Sequence, residues 1–235
     1  DISQFPEEER ITLQATEGGV KIEATGIGGH ASHAEGTINA IGIIADYLLK
    51  NDLVTEEEKQ YLTMVSKLCQ DYQGHGLGIE CDDGIFPPLS IIGGLMKMEN
   101  GVMKQNFDSR YPTNTTGHEL VEKLSRLAAE YGATITDVSD SVPFYIKADK
   151  PEIRACLNAY NDIRGLKGKP FTMGGGTYAR HFKNAISFGT EIPAEPLPEF
   201  VGKIHTFDEG IGIERLKMSL KVYILALHRL MQIPF

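Results

Sequence analysis

Asn100-Gly101 is the feature that most restricts how this chain can fold. An Asn-Gly pair accepts the positive φ angles of a type I′ turn, the two-residue connection whose twist matches that of two antiparallel strands. It separates residues 89–98 from 102–110, and both runs read as strand, so a hairpin is predicted in the middle of the chain. A second hairpin is expected earlier, from residues 11–16 (ITLQAT) and 20–25 (VKIEAT) joined by Glu17, Gly18 and Gly19. The glycine-rich stretch 26–29 then breaks the strand.

Helices are predicted between and after these hairpins. Residues 37–50 place Ile38, Ile41, Ala45 and Leu48 at helical spacing. Residues 55–72 begin with Thr55 as N-cap and Glu56, Glu57 and Glu58 in the first turn, with Met64, Leu68 and Tyr72 on the apolar side. Residues 116–131 align Leu120, Leu124, Leu127 and Tyr131, and 133–138 (ATITDV) reads as a strand. With 51–88 set aside as an insertion, the order predicts an α+β domain over 1–150: a ferredoxin-like antiparallel sheet with two helices on one face. A boundary is placed near Asp149-Lys150-Pro151, because Pro151 can open a helix at its first position.

The segment 151–235 predicts a helix over 151–164, a strand over 169–173, and a Gly174-Gly175-Gly176 turn into a short helix. A strand over 185–189, a proline-bearing loop and a helix over 208–231 follow. Ile213, Leu216, Leu220, Ile224 and Leu227 are expected to give the last helix one buried face. Strand, glycine turn, helix, strand is an α/β pattern. Two strands and two long helices make a thin core, so this segment is expected to complete a larger sheet. Asp1 in place of an initial Met points the same way, toward a piece of a longer protein.

Composition narrows the partners. Hydrophobic residues are 41% and charged residues 23% of 235, an ordinary globular balance. The net charge of −9 opposes nucleic acid and anionic membrane as partners, since both require a basic face. Cys69, Cys81 and Cys156 are too few and too scattered for a disulfide framework or a CxxC zinc site. A reducing cytoplasm is the expected compartment, with no signal-peptide pattern and no apolar run near the ~20 residues a bilayer needs.

Several polar residues could carry chemistry. His205 stands in a loop before the final helix, where it reads either as a surface or capping residue or as a metal ligand. His30 and His33 form an HxxH among small residues, but no HExxH accompanies them, and Ser32 or Thr37 capping a helix explains the segment equally. Gly174-Gly175-Gly176-Thr177 resembles neither a P-loop nor GxGxxG; it reads as a plain tight turn or as backbone amides open to an anion. Arg110 carries the planar fork that grips a carboxylate with two parallel bonds, against the alternative of a surface ion pair. Asn106 falls on the same face of that strand. The runs Glu7-Glu8-Glu9 and Glu56-Glu57-Glu58 read as solvated surface.

Four motifs in order carry a family resemblance. Gly26-Ile27-Gly28-Gly29-His30-Ala31-Ser32, followed by Gly36-Thr37-Ile38-Asn39-Ala40, resembles the lid motif of the aminoacylase/carboxypeptidase family of co-catalytic zinc peptidases. Asn106-Phe107-Asp108-Ser109-Arg110-Tyr111-Pro112 resembles that family's later lid strand. Gly174-Gly175-Gly176-Thr177-Tyr178-Ala179-Arg180, then Ala185-Ile186-Ser187-Phe188-Gly189, then His205, is similar to its C-terminal segment. The GGGTYAR wording and the insertion point to the bacterial dipeptidase V (Xaa-His dipeptidase) branch.

The resemblance implies a lid domain over 1–150 and the C-terminal part of an α/β zinc-peptidase catalytic domain over 151–235. It implies His205 as a zinc ligand and His30 as the group that stabilises the oxyanion. Arg110, with the amides around Gly175, Gly176 and Thr177, would hold the C-terminal carboxylate of a dipeptide, and Asn106 would assist. Two zinc ions would polarise the carbonyl and activate water, with a glutamate as general base. The chain departs from the family in having no HxD and no suitably placed Glu-Glu pair. The expectation is therefore a C-terminal half that lacks most metal ligands and is inactive alone, its missing partner being the N-terminal half. The alternative is a non-catalytic binding module or homodimerisation unit derived from the lid. A weaker one is an anion-binding domain built on the Gly174–Thr177 turn.

Overall fold

The structure is a computed structural model that describes residues 2–29, 31, 34–183, 185–190, 196–202 and 208–234. The chain divides into two compact units, one running to Pro143 and including Thr172–Gly175, the other made of Phe144–Phe171 and the residues from Gly176 onward.

The first unit begins with strands β1 (Ile11–Thr16) and β2 (Gly19–Ala24), an antiparallel hairpin in continuous register. Helices α1 (Ala40–Lys50) and α2 (Glu56–Gln70) follow. Strands β3 (Ser90–Glu99) and β4 (Val102–Arg110) form the second hairpin. Asn100 and Gly101 have φ of 51° and 78°, the positive pair that an Asn-Gly turn provides. Helix α3 (Gly117–Glu130) closes the unit. Among the described residues the ladders form two separate two-stranded sheets. Residues 133–138, predicted as strand, form no ladder among the described residues: Ala133 donates to Ala128 O at 2.9 Å and packs on the cluster around Ala128, and 134–138 are exposed.

Capping chemistry sets the helix starts. Thr55 and Thr116 each accept from the backbone N–H three residues on, at Glu58 and Glu119, whose side chains return a bond to the cap. The α2 stretch, expected as part of an insertion, is integral to the core. Leu62 and Val65 pack with Ala45 of α1, while Met64 and Leu68 pack with Ala128 of α3. A further cluster joins Ile79, Leu89, Ile91 and Leu120.

The second unit is built on α4 (Pro151–Arg164) and α5 (Ile213–Leu230). Pro151 opens α4, and Gly165 at φ 66° ends it. Cys156 and Ala159 meet Ala226 in the contact, and Ile186 and Phe188 cover it. Phe188 and Tyr223 stack edge to face at 5.7 Å. Thr190 Oγ1 donates to Ser219 Oγ at 2.5 Å, and Arg229 pairs with Asp162 at 2.6 Å.

Two expectations for this unit are corrected. Residues 169–173 and 185–189 form no ladder among the described residues. Pro170 lacks a donor N–H, and in 185–189 the alternation serves to bury Ile186 and Phe188 on the helices instead. The face of α5 marked by Ile213, Leu216, Leu220, Ile224 and Leu227 is exposed, at 58–71%. The buried side is Ser219, Val222 and Ala226, because small residues let α4 approach closely and α4 covers only that side. Among the described residues no helix is long and apolar enough to cross a membrane.

Candidate functional site

The loop that carries His30 is closed at its base by an isolated antiparallel bridge. Ile27 N–H donates to Ile38 O at 2.9 Å and Ile38 N–H returns to Ile27 O at 3.0 Å. Gly26 makes this possible, since a Cβ there would strike the Ile38 carbonyl. Inside the loop the carbonyl of buried Ala34 accepts from the Thr37 N–H and hydroxyl at 3.1 and 2.7 Å. The Ala31 carbonyl accepts from Ser90 Oγ at 2.8 Å. Ser90 is the register partner of Arg110, so the loop is tied to the same end of the β3–β4 ribbon. His30, Ser32 and His33 lie outside the described residues.

Thr37 does not cap α1, as one reading expected. Asn39 does: its Oδ1 accepts from Ile41 N–H at 2.9 Å, and its Nδ2 donates to Gly93 O at 2.8 Å. That second bond reaches a β-bulge, where the β3 register shifts between Gly93 and Leu95. Asn106 fills the bulge from the other side, with Oδ1 accepting from Leu95 N–H at 2.6 Å. The structure thus gives Asn106 a backbone-bracing role.

Arg110 ends β4 with its guanidinium spread over the carboxylate of Asp108, two residues back on the same face. Nη1 contacts Oδ1, Nη2 donates to Oδ2 at 3.0 Å, and Nη1 also donates to Ser109 O at 3.1 Å. Both side chains are partly exposed. The fork is therefore engaged by a carboxylate in the geometry suited to one. Asn106, Asp108 and Arg110 share one face of β4 by strand alternation.

Of the glycine turn, Gly174 and Gly175 fall in the first unit, and Gly176 and Thr177 in the second. The helix predicted after it is a single 3₁₀ turn, Tyr178–His181, too short for an appreciable end charge. Thr177 Oγ1 accepts from Ala179 N–H at 3.3 Å and meets Ser187 Oγ at 2.6 Å. A Cβ on Gly175 would meet Met173 Cε at 3.5 Å, an ordinary contact, whereas a Cβ on Gly176 would come within 3.1 Å of the Arg180 guanidinium. His205, the expected zinc ligand, lies outside the described residues. Among the described residues no group of three or more His, Cys, Asp or Glu side chains could hold a metal ion.

The cysteines are poor nucleophiles. Burial pushes the Cys69, Cys81 and Cys156 thiols up from their ordinary value. A different carboxylate is strongly tuned. Burial raises Asp83, but the Thr113 hydroxyl and the N–H groups of Phe86, Thr113 and Ile85 outweigh it and hold Asp83 well below the usual carboxylate range.

Sequence reasoning passed over three residues of this arrangement. Asp108 was detectable, because alternation puts it on the Arg110 face. Asn39 carried a signal too, as a favoured N-cap type just before an apolar helical run. Ser90 had none, since its bond to Ala31 spans 59 positions.

The chain matches no protein-family model. Curated relatives are named as dipeptidases. "Putative dipeptidase YtjP" of Bacillus subtilis (strain 168) is 26% identical over 235 residues, covering 97% of this chain and 49% of the relative. "Putative dipeptidase SSP1012" of Staphylococcus saprophyticus is 27% identical over 201 residues, covering 81% and 41%. "Beta-Ala-Xaa dipeptidase" of Lactobacillus delbrueckii subsp. lactis is 23% identical over 208 residues, covering 87% and 43%. These similarities support a dipeptidase family, and the chain spans about half the length of the curated relatives it matches.

Proposed function

We propose that this chain is the lid and the C-terminal part of the catalytic domain of a zinc-dependent dipeptidase of the aminoacylase/carboxypeptidase type, in the dipeptidase V branch. One observation carries the reading: similarity to a dipeptidase-named protein runs through 97% of this chain while taking up 49% of that relative. The motifs are therefore parts of one continuous match.

In this reading the lid grips the dipeptide. Arg110 takes its C-terminal carboxylate, assisted by the backbone amides of Gly175, Gly176 and Thr177, and exchanges Asp108 for it. Asn106 acts indirectly, by bracing the bulge beside that strand. His30 donates to the oxygen on which charge grows as the peptide bond is attacked, a contribution made in the transition state. The Ser90 bond to Ala31 supports the adjoining backbone. His205 is offered toward zinc. The sequence carries no HxD and no suitably placed Glu-Glu pair, so in this reading the other ligands would come from another segment of the complete enzyme, and residues 1–235 alone would be inactive. The uncovered apolar side of α5 agrees with a second unit that packs against more protein.

The test compares the full-length protein that carries this chain with residues 1–235 alone. The reading expects zinc-dependent hydrolysis of dipeptides by the former and none by the latter. A full-length protein that binds no zinc and cleaves no dipeptide would refute it. The exposed α5 face also favours a second reading, a non-catalytic self-associating module, and a monomer in sedimentation at micromolar concentration would contradict that.

A further inference from the structure

The segment Thr172–Gly175 clusters with the first unit, although the residues on either side of it belong to the second. Thr172 Oγ1 donates to the carbonyl of Ile85 at 2.5 Å, a bond within the first unit that spans 87 positions. Gly174 and Gly175, which begin the glycine turn, follow directly in the same segment. Ile85 stands in a loop, 82–88, closed at its base where Leu89 N–H donates to Cys81 O at 2.8 Å.

Asp83 holds that loop from inside. Its Oδ1 accepts from the N–H groups of Ile85 and Phe86, and its Oδ2 from the N–H and hydroxyl of Thr113. Thr113 continues the chain from Arg110 through Tyr111, packed on the cluster of Ile79, Leu89, Ile91 and Leu120, and through buried Pro112. The two oxygens of one carboxylate thus serve two arms. One runs through Ile85 and Thr172 to the glycine turn, the other through Thr113 to the end of β4. Four donors on one side chain of this length require a carboxylate, which has two acceptor oxygens and no donor. Asparagine would replace one oxygen by an NH2 group that meets N–H head-on. Whichever arm keeps the remaining oxygen, the other loses it.

We propose that Asp83 is a positioning residue, which together with Thr172 locks Gly174 and Gly175 to the strand end that bears Arg110. This rests on the dipeptidase reading and deepens it. Two elements read there as gripping one peptide are registered to each other through the 82–88 loop, by groups that do not touch the peptide themselves.

The test uses the full-length protein that carries this chain. Thr172→Val removes the donor and keeps the side-chain shape. It is expected to raise KM for a dipeptide about two- to tenfold, the fold-change that one neutral hydrogen bond is worth, with kcat nearly unchanged. Thr172→Ser keeps the hydroxyl and should return KM to near the wild-type value. Asp83→Asn should raise KM at least as much as Thr172→Val. The double variant should be little worse than Asp83→Asn alone, since both changes break one connection. A wild-type KM in Thr172→Val, or losses that multiply in the double variant, overturns the proposal. A second readout needs no catalysis. Amide hydrogen exchange across Thr172–Gly175, followed by mass spectrometry, should run severalfold faster in Thr172→Val and Asp83→Asn and at the wild-type rate in Thr172→Ser. Unchanged exchange in the first two overturns the brace. A wild type that cleaves no dipeptide sinks the dipeptidase reading; faster exchange in those variants would still support the brace, and unchanged exchange would overturn it.

Discussion

Ser90 Oγ donates to the carbonyl of Ala31 at 2.8 Å, joining the start of β3 to the loop between the first hairpin and α1. Ser90 is itself held, because its carbonyl accepts from Ser109 Oγ at 2.9 Å and its register partner is Arg110. One buried hydroxyl thus ties the segment that bears His30 to the strand end that bears Arg110. Ser90→Ala should cost about 1 kcal/mol of stability, the usual net worth of such a bond. In an active protein it should lower kcat more than it raises KM, and Ser90→Thr should recover most of the loss. Thermal unfolding and steady-state kinetics check both parts.

The Arg110–Asp108 pair leads to a prediction of opposite sign. If Asp108 stands in for the substrate carboxylate, Asp108→Asn frees the fork, and KM for a dipeptide acid should fall several-fold. Arg110→Lys keeps the charge but loses the two parallel bonds and should raise KM about tenfold or more. Kinetics on acid and amide substrates separate these effects from a general loss of folding.

Stability of the first unit should depend on the cluster of Ile79, Leu89, Ile91 and Leu120. Ile91→Ala leaves a void at a residue that is 1% exposed. It should cost about 2–5 kcal/mol, by the usual scale of large-to-small core substitutions. Leu227→Ala, on the exposed side of α5, should cost less than about 0.5 kcal/mol in residues 1–235. Denaturant melts of the two variants check the contrast.

Asp83 gives the pH dependence. Its Oδ1 accepts from Ile85 and Phe86 N–H, and its Oδ2 from Thr113 N–H, each at 2.8 Å, with the Thr113 hydroxyl at 2.5 Å. A carboxyl depressed by folding stabilises fully above its unfolded value, near ~3.9, and loses that contribution as pH falls toward the folded value. Wild type should therefore lose stability more steeply than Asp83→Asn below about pH 4. Midpoints of thermal unfolding between neutral and acid pH measure the difference.

Legibility followed the range of the forces involved. The Asn100-Gly101 turn, the Thr55 and Thr116 capping boxes and the Pro151 helix start are local chemistry, and each can be read from a few neighbouring residues. The bulge between Gly93 and Leu95 could not be read, because it depends on Asn106 across the ladder and Asn39 from another element. The α5 face was misjudged for a different reason. Periodicity shows which side of a helix is apolar, and the small residues Ser219 and Ala226 decided which side α4 covers. In the candidate site Arg110 stood out as a carboxylate-binding type, while Asp108, which occupies its fork, becomes meaningful only once the pair is seen.

The central claim is that this chain grips a dipeptide by its free carboxylate on behalf of a catalytic domain. The most direct measurement is the rate at which the full-length protein carrying this chain hydrolyses a dipeptide, beside the same protein with Arg110→Ala. The account predicts ready cleavage by the first, and by the second a KM raised at least about tenfold for the acid but not for the amide. Cleavage with the same KM in both proteins, or none in either, would contradict it.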